Sequence, residues 1–125
     1  MSDDWGPVHG WHRAVNERDT DEARRVAAPG IVLGGPKGTA AGVDVFVEWI
    51  TRSGIRLVPV AWHPVDGRRV VVEQDATWPG NPAVPPDAPP VRTATLFTVD
   101  GGRVAAALRY DEGAEAALRA ARDQP

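Results

Sequence analysis

The chain has 125 residues, of which 42% are hydrophobic and 25% are charged, and its formal net charge at pH 7 is −3. This composition is typical of one ordinary globular domain, so we expect residues 1–125 to form a single domain with its own core. The absence of cysteine excludes disulfides and thiolate chemistry, the scattered basic residues argue against nucleic-acid binding, and no apolar run approaches the ~18 residues of a membrane-spanning helix.

The first half of the chain predicts three short helices. Apolar residues recur at helical spacing between positions 7 and 19, which predicts a first amphipathic helix. Asp19, followed three residues later by Glu22, has the pattern of a capping box and predicts the start of a second helix, which Pro29-Gly30 is expected to end. The third helix is predicted from Val43 to Arg52.

Strand-like alternation dominates the second half of the chain. Pro59 indicates an edge strand or a bulge, Asp66-Gly67 a hairpin turn, and Asp111 the cap of a C-terminal helix. A short strand, residues 31–33, is predicted before the third helix, and a turn at 34–38 follows it. The longer strands are predicted at residues 55–62, 69–78, 91–99 and 103–110.

This order of elements predicts an α+β fold. A curved antiparallel sheet, built from a meander and a short first strand, is expected to pack against three N-terminal helices, with one further helix at the C-terminus. The concave face of such a sheet can enclose a cavity. The proline-rich segment from Pro79 to Pro90 is too poor in N–H donors to pair in a sheet, so it either covers the cavity or only connects two strands.

Four segments, in this order and at this spacing, carry a family resemblance: WHRAVNERDTDEARRVAAPGIVLGG, GVDVFVEW, VVVEQDATW and ATLFTVDGGRVAAALRYD. They resemble the nuclear transport factor 2-like superfamily, in particular its SnoaL-like and ketosteroid isomerase-like branch. The resemblance runs from Trp11 to the end of the chain. It implies a cone with a deep pocket, commonly dimeric, in a superfamily that contains isomerases, cyclases, epoxide hydrolases and catalytically silent binders.

The resemblance also locates the positions that carry catalysis in ketosteroid isomerases. The carboxylate base of the family falls at Gly35, its tyrosine oxyanion donor at Trp11, and its protonated aspartate at Thr95. The Trp11 indole and the Thr95 hydroxyl could still donate, but a glycine cannot accept a proton. We therefore expect no steroid isomerase chemistry by that mechanism.

Strand alternation, together with the resemblance, predicts which side chains face the cavity. We expect a largely apolar chamber that needs no cofactor and suits a small apolar or carboxylate-bearing organic molecule. The expected pocket residues are Trp11, Val15, Leu33, Trp49, Val72, Gln74, Trp78, Thr95, Phe97, Ala107 and Arg109.

A few ionisable residues decide between binding and catalysis. Arg109 could pair with a ligand carboxylate, or it could pair with the acidic residues that follow it. Glu73 and Asp75 are expected to face away from the cavity, although a shift of one residue in register would turn them inward. His63, Asp75 and Asp111, assisted by Arg109, are the candidates for a relocated acid or base.

Three functions remain open at this point. The first is a ligand-binding or regulatory domain without turnover. The second is an enzyme of the isomerase, polyketide cyclase or epoxide hydrolase type. The third is an interaction module whose outer sheet face forms a homodimer. No ligand spacing such as HExxH indicates a metal site, and the acidic first residues, which lack an apolar run, favour a cytoplasmic location.

Overall fold

The fold was analysed in a computed structural model, which describes residues 5–35, 38–79, 81–85 and 87–123. The acidic start of the chain, the tip of the predicted turn at 36–37 and two residues of the proline-rich loop, 80 and 86, lie outside the described residues. No helix among the described residues is both long enough and apolar enough to cross a bilayer. The elements are α1 (Gly6–Glu17), α2 (Thr20–Val26), β1 (Ala27–Gly35), β2 (Gly38–Ala41), α3 (Val43–Ser53), β3 (Arg56–Pro64), β4 (Arg69–Thr77), β5 (Val91–Asp100), β6 (Arg103–Tyr110) and α4 (Ala114–Asp123).

The described strands form one curved six-stranded sheet in the order β2-β1-β6-β5-β4-β3. Strands β3 to β6 pair as an antiparallel meander, which confirms the predicted α+β architecture. The sheet is mixed rather than wholly antiparallel, because β1 pairs in parallel with β6 and antiparallel with β2. Strand β2 was not predicted, since its sequence of Gly, Thr and two Ala has no alternation of apolar and polar residues.

Of the two predicted helix N-caps, Asp19 and Asp111, the structure confirms only Asp19. The Asp19 side chain accepts a hydrogen bond of 3.0 Å from the Glu22 backbone N–H, as an N-cap residue does. The Glu22 carboxylate does not close the capping box. It accepts instead from Arg25 and from Arg13, and these hydrogen bonds lower the pKa of Glu22 from 4.5 to about 2. The predicted cap at Asp111 is wrong, because α4 begins only at Ala114.

The prolines and the hairpin turn explain the shape of the sheet. Pro29 and Gly30 lie inside β1, where the register with β6 shifts, so they interrupt pairing rather than follow a helix. Pro59 confirms its prediction, since β3 is an edge strand with a register shift immediately after that residue. The Asp66 carboxylate accepts from the backbone N–H groups of Arg68 and Arg69, at 2.9 Å each, and fixes the turn between β3 and β4.

The sheet buries a separate cluster on each of its two faces. On the outer face, α4 packs Ala117 and Ala121 against Val71, Ala94 and Leu96. The inner face packs against α1, α2 and α3 in a larger cluster, so any chamber enclosed by the helices lies on that side. Its largest buried members include Trp11, Val15, Ile31, Phe46, Ile50, Ile55, Leu57, Val72 and Phe97.

Candidate functional site

A cavity of about 640 Å³ opens on the inner face, between α3, the β1–β2 hairpin and strands β5 and β6. Its size is that of a small-molecule site. Most of its wall is apolar, and polar side chains are few and spread between the floor and the mouth. It is lined by Trp11, Leu33, Gly34, Gly35, Gly38, Thr39, Ala40, Val45, Glu48, Trp49, Arg52, Leu57, Thr95, Ala107 and Arg109.

Strand register brings the sheet side of the cavity together. Thr95 of β5 is paired directly with Arg109 of β6, and Ala107 is paired with Leu33 of β1. Directly paired residues share a face, so all four side chains point to the same side. On the opposite wall, helical spacing places the α3 residues that line the cavity, positions 45, 48, 49 and 52, along one stripe.

Aromatic rings form the floor of the cavity. Trp11 stacks on Phe46, with 5.6 Å between ring centroids and an interplanar angle of 8°, and meets the Phe97 ring edge-on at 4.9 Å. Trp49 lies 6.1 Å from the Trp11 ring. Packed rings of this kind resist displacement. The floor is therefore a rigid apolar surface that keeps its shape.

A network of buried, hydrogen-bonded polar side chains lies beneath the floor. His12 Nδ1 lies 2.8 Å from the Val8 carbonyl oxygen, and His12 Nε2 lies 2.8 Å from Gln74 Nε2. Thr95 donates its hydroxyl proton to Gln74 Oε1 at 2.8 Å. Burial lowers the pKa of His12 from 6.5 to about 4, so the imidazole is neutral at pH 7. This network links the first helix to Thr95, a residue of the cavity wall.

The sequence reasoning did not assign His12 to the site. A signal was present, because His12 is four residues after Val8 and three before Val15, so helical spacing puts it in the buried stripe of α1. A histidine in such a stripe must find hydrogen-bond partners across the core.

Arg109 provides the cationic group of the inner wall. Its Nε lies 3.1 Å from Asp111 Oδ1, but the N–H is not aligned for a hydrogen bond. Asp111 also accepts from the Thr93 hydroxyl at 3.2 Å. Among the described residues Asp111 is the only partner of the guanidinium. The two interpretations of Arg109 are therefore compatible, because it lines the cavity and is also paired with Asp111.

The lining residues that the structure describes include one carboxylate, Glu48. It lies at the mouth of the cavity, where it forms an ion pair of 3.0 Å with Arg52, and both side chains are about two thirds or more exposed. An exposed, paired carboxylate resembles a surface ion pair more than a poised base.

Gly35 lies on the lip of the cavity. A Cβ built on the preceding residue, Gly34, would meet Leu108 Cδ2 at 2.7 Å, whereas one on Gly35 would meet nothing within 4 Å. Successive residues of a strand point to opposite faces, and Gly35 lines the cavity. The space beside Gly35 is therefore open.

The predicted pocket residues divide into three groups. Trp11, Leu33, Trp49, Thr95, Ala107 and Arg109 line the cavity. Val15, Val72, Gln74 and Phe97 face the same side but are fully buried, because other side chains cover them. Trp78 packs against the inner core just beyond the end of β4 and does not line the cavity.

Two of the acid or base candidates lie away from this cavity. His63 is paired with Val71, which belongs to the outer cluster, and its Nε2 contacts Glu73 Oε1 at 2.7 Å. Asp75, on the same face as Glu73, accepts from Arg92 at 2.7 Å. Strand alternation therefore places both His63 and Asp75 on the outer face, with the sheet between them and the cavity.

No metal centre is evident in the part of the chain that the structure describes. Within residues 5–35, 38–79, 81–85 and 87–123, no three His, Cys, Asp or Glu side chains converge as a set of metal ligands. The three histidines serve different surroundings: His12 is in the core, His63 is on the outer face, and His9 packs its ring on Trp62.

A curved sheet that wraps a cavity, with three helices across its concave side, is the nuclear transport factor 2-like fold. The chain belongs to the SnoaL-like domain family, whose model matches residues 8–107. This confirms the resemblance predicted from the four sequence segments. No curated protein matches the chain.

Solved structures of the same fold come from several bacteria. An NTF2-like protein of unknown function from Cytophaga hutchinsonii has a TM-score of 0.73 at 14% identity, over 88% of this chain and 90% of that one. A proposed polyketide cyclase from Sinorhizobium meliloti has a TM-score of 0.70 at 22% identity, over 84% and 94%. A protein from Kribbella flavida has a TM-score of 0.66 at 27% identity, over 96% of each chain.

Proposed function

We propose that this chain is a cytoplasmic binding domain for a small, largely apolar organic molecule that carries a carboxylate or carbonyl group. The observation that carries the proposal is the cavity of about 640 Å³, which combines an aromatic floor with one cationic side chain on its inner wall, Arg109. Apolar burial provides most of the binding free energy in such sites, and a few polar groups fix the orientation of the ligand.

The surroundings of Arg109 favour a ligand with an acceptor group. The guanidinium has five N–H donors, and Asp111 is its only partner in the described chain. A carboxylate is the group that such a planar donor set binds best. A ligand acid would lie against Arg109 with its apolar body over Trp11 and Trp49.

The same geometry supports binding over steroid isomerisation. That reaction needs a carboxylate at the position of Gly35, where there is only open space. The name of the Sinorhizobium meliloti neighbour keeps a cyclase as the alternative, and the observation that favours it is Asp111 beside Arg109. A cyclase with Asp111 as its base predicts turnover that Asp111→Asn abolishes, whereas a binder predicts none.

The proposal is tested by closing the cavity. Gly35→Phe would place a ring in the open space at the lip, and Gly30→Phe makes the same change elsewhere on β1, also in open space and at an ordinary φ. With 2-naphthoate as the probe in isothermal titration calorimetry, we expect Gly35→Phe to weaken binding by at least about tenfold. Gly30→Phe should bind like the unsubstituted chain.

The charge requirement has its own control. Arg109→Met keeps an unbranched apolar stem and removes the guanidinium, so it should weaken the binding of 2-naphthoate more than that of the neutral 2-naphthamide, whose carbonyl is the weaker acceptor. Equal binding of 2-naphthoate to the unsubstituted chain and to Gly35→Phe would contradict the proposal, because the probe would then occupy another surface.

A homodimer is the second candidate, and exposed valines on the edge strand favour it. Val58 and Val60 of β3 are 41% and 43% exposed. They lie next to a group of ion-paired residues on the outer face, which would supply a polar rim: His63, Glu73, Asp75 and Arg92. Light scattering should give twice the chain mass, and Val58→Lys should return it to one chain. A single-chain mass for the unsubstituted protein at high concentration would contradict this candidate.

A further inference from the structure

In the buried network of polar side chains, the donor and the acceptor of every hydrogen bond can be assigned. The Val8 carbonyl can only accept, so His12 Nδ1 must carry the proton of that 2.8 Å contact. A neutral imidazole then has its lone pair on Nε2, which accepts from Gln74 Nε2. The other end of that amide, Oε1, can only accept, so the Thr95 hydroxyl must donate to it.

The opposite set of hydrogen-bond directions is not possible at the contact between His12 and Val8. Turning the Gln74 amide over would bring its oxygen against His12 Nε2, which would then need a proton. A neutral His12 protonated on Nε2 would place the bare lone pair of Nδ1 against the Val8 carbonyl at 2.8 Å. A doubly protonated imidazole would be a charge in a site where 4% of the residue is exposed and no carboxylate of the described residues is in contact.

We infer that Thr95 offers the cavity only lone pairs, so the site selects a ligand that carries a hydroxyl or N–H donor close to its acid group, as a hydroxy acid does. This inference rests on the proposed function and deepens it. The single proton of the Thr95 hydroxyl is held by Gln74, and its oxygen can accept one further hydrogen bond. The position that donates in ketosteroid isomerases therefore accepts in this chain.

Strand register places Thr95 and Arg109 side by side on the wall of the cavity. Thr95 and Arg109 are directly opposite each other on β5 and β6, so their Cβ atoms are about 5 Å apart. Arg109 donates and Thr95 accepts, so the complementary ligand carries an acceptor and a donor in the same part of the molecule. A simple fatty acid satisfies Arg109 alone.

The donor and acceptor roles in this network can be measured without any ligand. Two-bond ¹H–¹⁵N correlation spectra of the unsubstituted chain distinguish a protonated ring nitrogen from one with a lone pair. We expect His12 to show a protonated Nδ1 and an unprotonated Nε2 at pH 7. A protonated Nε2 would overturn the inference, whether or not any probe binds the cavity.

The ligand preference is tested with three acids of equal charge and the same ring: mandelate, its O-methyl ether and phenylacetate. Mandelate should bind about tenfold more tightly than phenylacetate, which is the effect of one added hydrogen bond. The methyl ether keeps the oxygen but has no proton, so it should bind no better than phenylacetate. The same triplet built on 3-phenylpropanoate, with the hydroxyl on carbon 3, covers the second spacing.

Two variants assign the preference to Thr95. Thr95→Val should remove the advantage of the hydroxyl acid, so the ratio of the affinities of mandelate and phenylacetate should fall to about one. Thr95→Ser keeps the hydroxyl and should keep the preference, which protects the test if the valine variant does not fold. Equal binding of the hydroxyl acid and its methyl ether in both series would overturn the inference alone. Failure of every acid to bind would contradict the proposed function as well.

Discussion

His12 on helix α1 and Thr95 on strand β5 are linked through the amide of Gln74 by two contacts of 2.8 Å each. The link crosses the interface between the first helix and the sheet, and one end of it reaches the cavity. Buried polar networks with every member satisfied fix one arrangement of a core. The floor of the site is thus held in register by hydrogen bonds as well as by ring packing.

The burial of His12 predicts a loss of stability in mild acid. The pKa of His12 is about 4 in the folded chain and 6.5 without burial, so the unfolded chain takes up a proton that the folded chain refuses. Stability should be complete above pH 6.5 and fall until about pH 4, by about 3 kcal/mol in total. Urea unfolding between pH 7.5 and 4 measures this. A free energy of unfolding that does not change between pH 6.5 and 4.5 would contradict it.

A different carboxylate should act in a lower pH range. The pKa of Glu22 is lowered to about 2, mainly by its hydrogen bond from Arg25 and next by that from Arg13. A lowered carboxylate pKa stabilises the fold above pH 4.5, and that contribution is lost as the pH falls towards 2. Glu22→Gln should flatten the stability curve between pH 4.5 and 2 and leave the step between pH 6.5 and 4 in place. Loss of the upper step in this variant would show that the two titrations were assigned wrongly.

The close approach of α1 and α2 predicts that a methyl group at Gly10 is costly. A Cβ on Gly10 would lie 2.6 Å from Val26 Cγ1 and 2.9 Å from Glu22 Oε2. Alanine normally favours a helix over glycine by about 1 kcal/mol, but here the overlap should dominate and destabilise the chain by about 1–3 kcal/mol. Thermal unfolding of Gly10→Ala measures this. Gly30→Ala, where a Cβ meets nothing within 4 Å, is the matched control and should not lower the melting temperature.

Asn16 connects α1 to the cavity wall through the backbone of Leu57. Its amide donates to the Leu57 carbonyl and accepts from the Leu57 N–H, both at 2.8 Å. Asn16→Ala should cost about 2 kcal/mol, because two part-buried backbone groups lose their partner. Asn81→Ala removes a single exposed side-chain hydrogen bond, to Ala83, and should change stability by less than about 0.5 kcal/mol. Equal effects in urea unfolding would show that the Asn16 contacts add nothing.

The ion pair between Arg109 and Asp111 predicts competition with an acidic ligand. Asp111→Asn should strengthen the binding of 2-naphthoate by about two- to fivefold, a modest gain because both side chains are partly exposed to solvent. Asp100→Asn makes the same change of charge beside Arg68 on the surface and is the control for long-range effects. If the two variants strengthen binding equally, net charge rather than Arg109 is responsible.

Most of the element types were predictable because each has a local cause. Apolar spacing located α1 and α3, and the aspartate cap marked the start of α2, whereas Pro29 misled because a bulge lets a proline lie within β1. The cavity was predicted only in outline. Alternation identifies the side that Val72 and Phe97 face, but which inward side chains are covered by others depends on contacts between distant parts of the chain. The hydrogen bond between His12 and Gln74 spans 62 residues and could not be predicted from spacing.

The proline in β3 restricts how copies of this chain can associate. A sheet edge recruits another strand through its free N–H and C=O groups, but Pro59 has no N–H and the register shift beside it bends the edge. Continuous strand-to-strand growth, the route to fibrils, is therefore blocked along β3. Association that involves Val58 and Val60 must therefore rely on side-chain packing rather than on shared backbone hydrogen bonds.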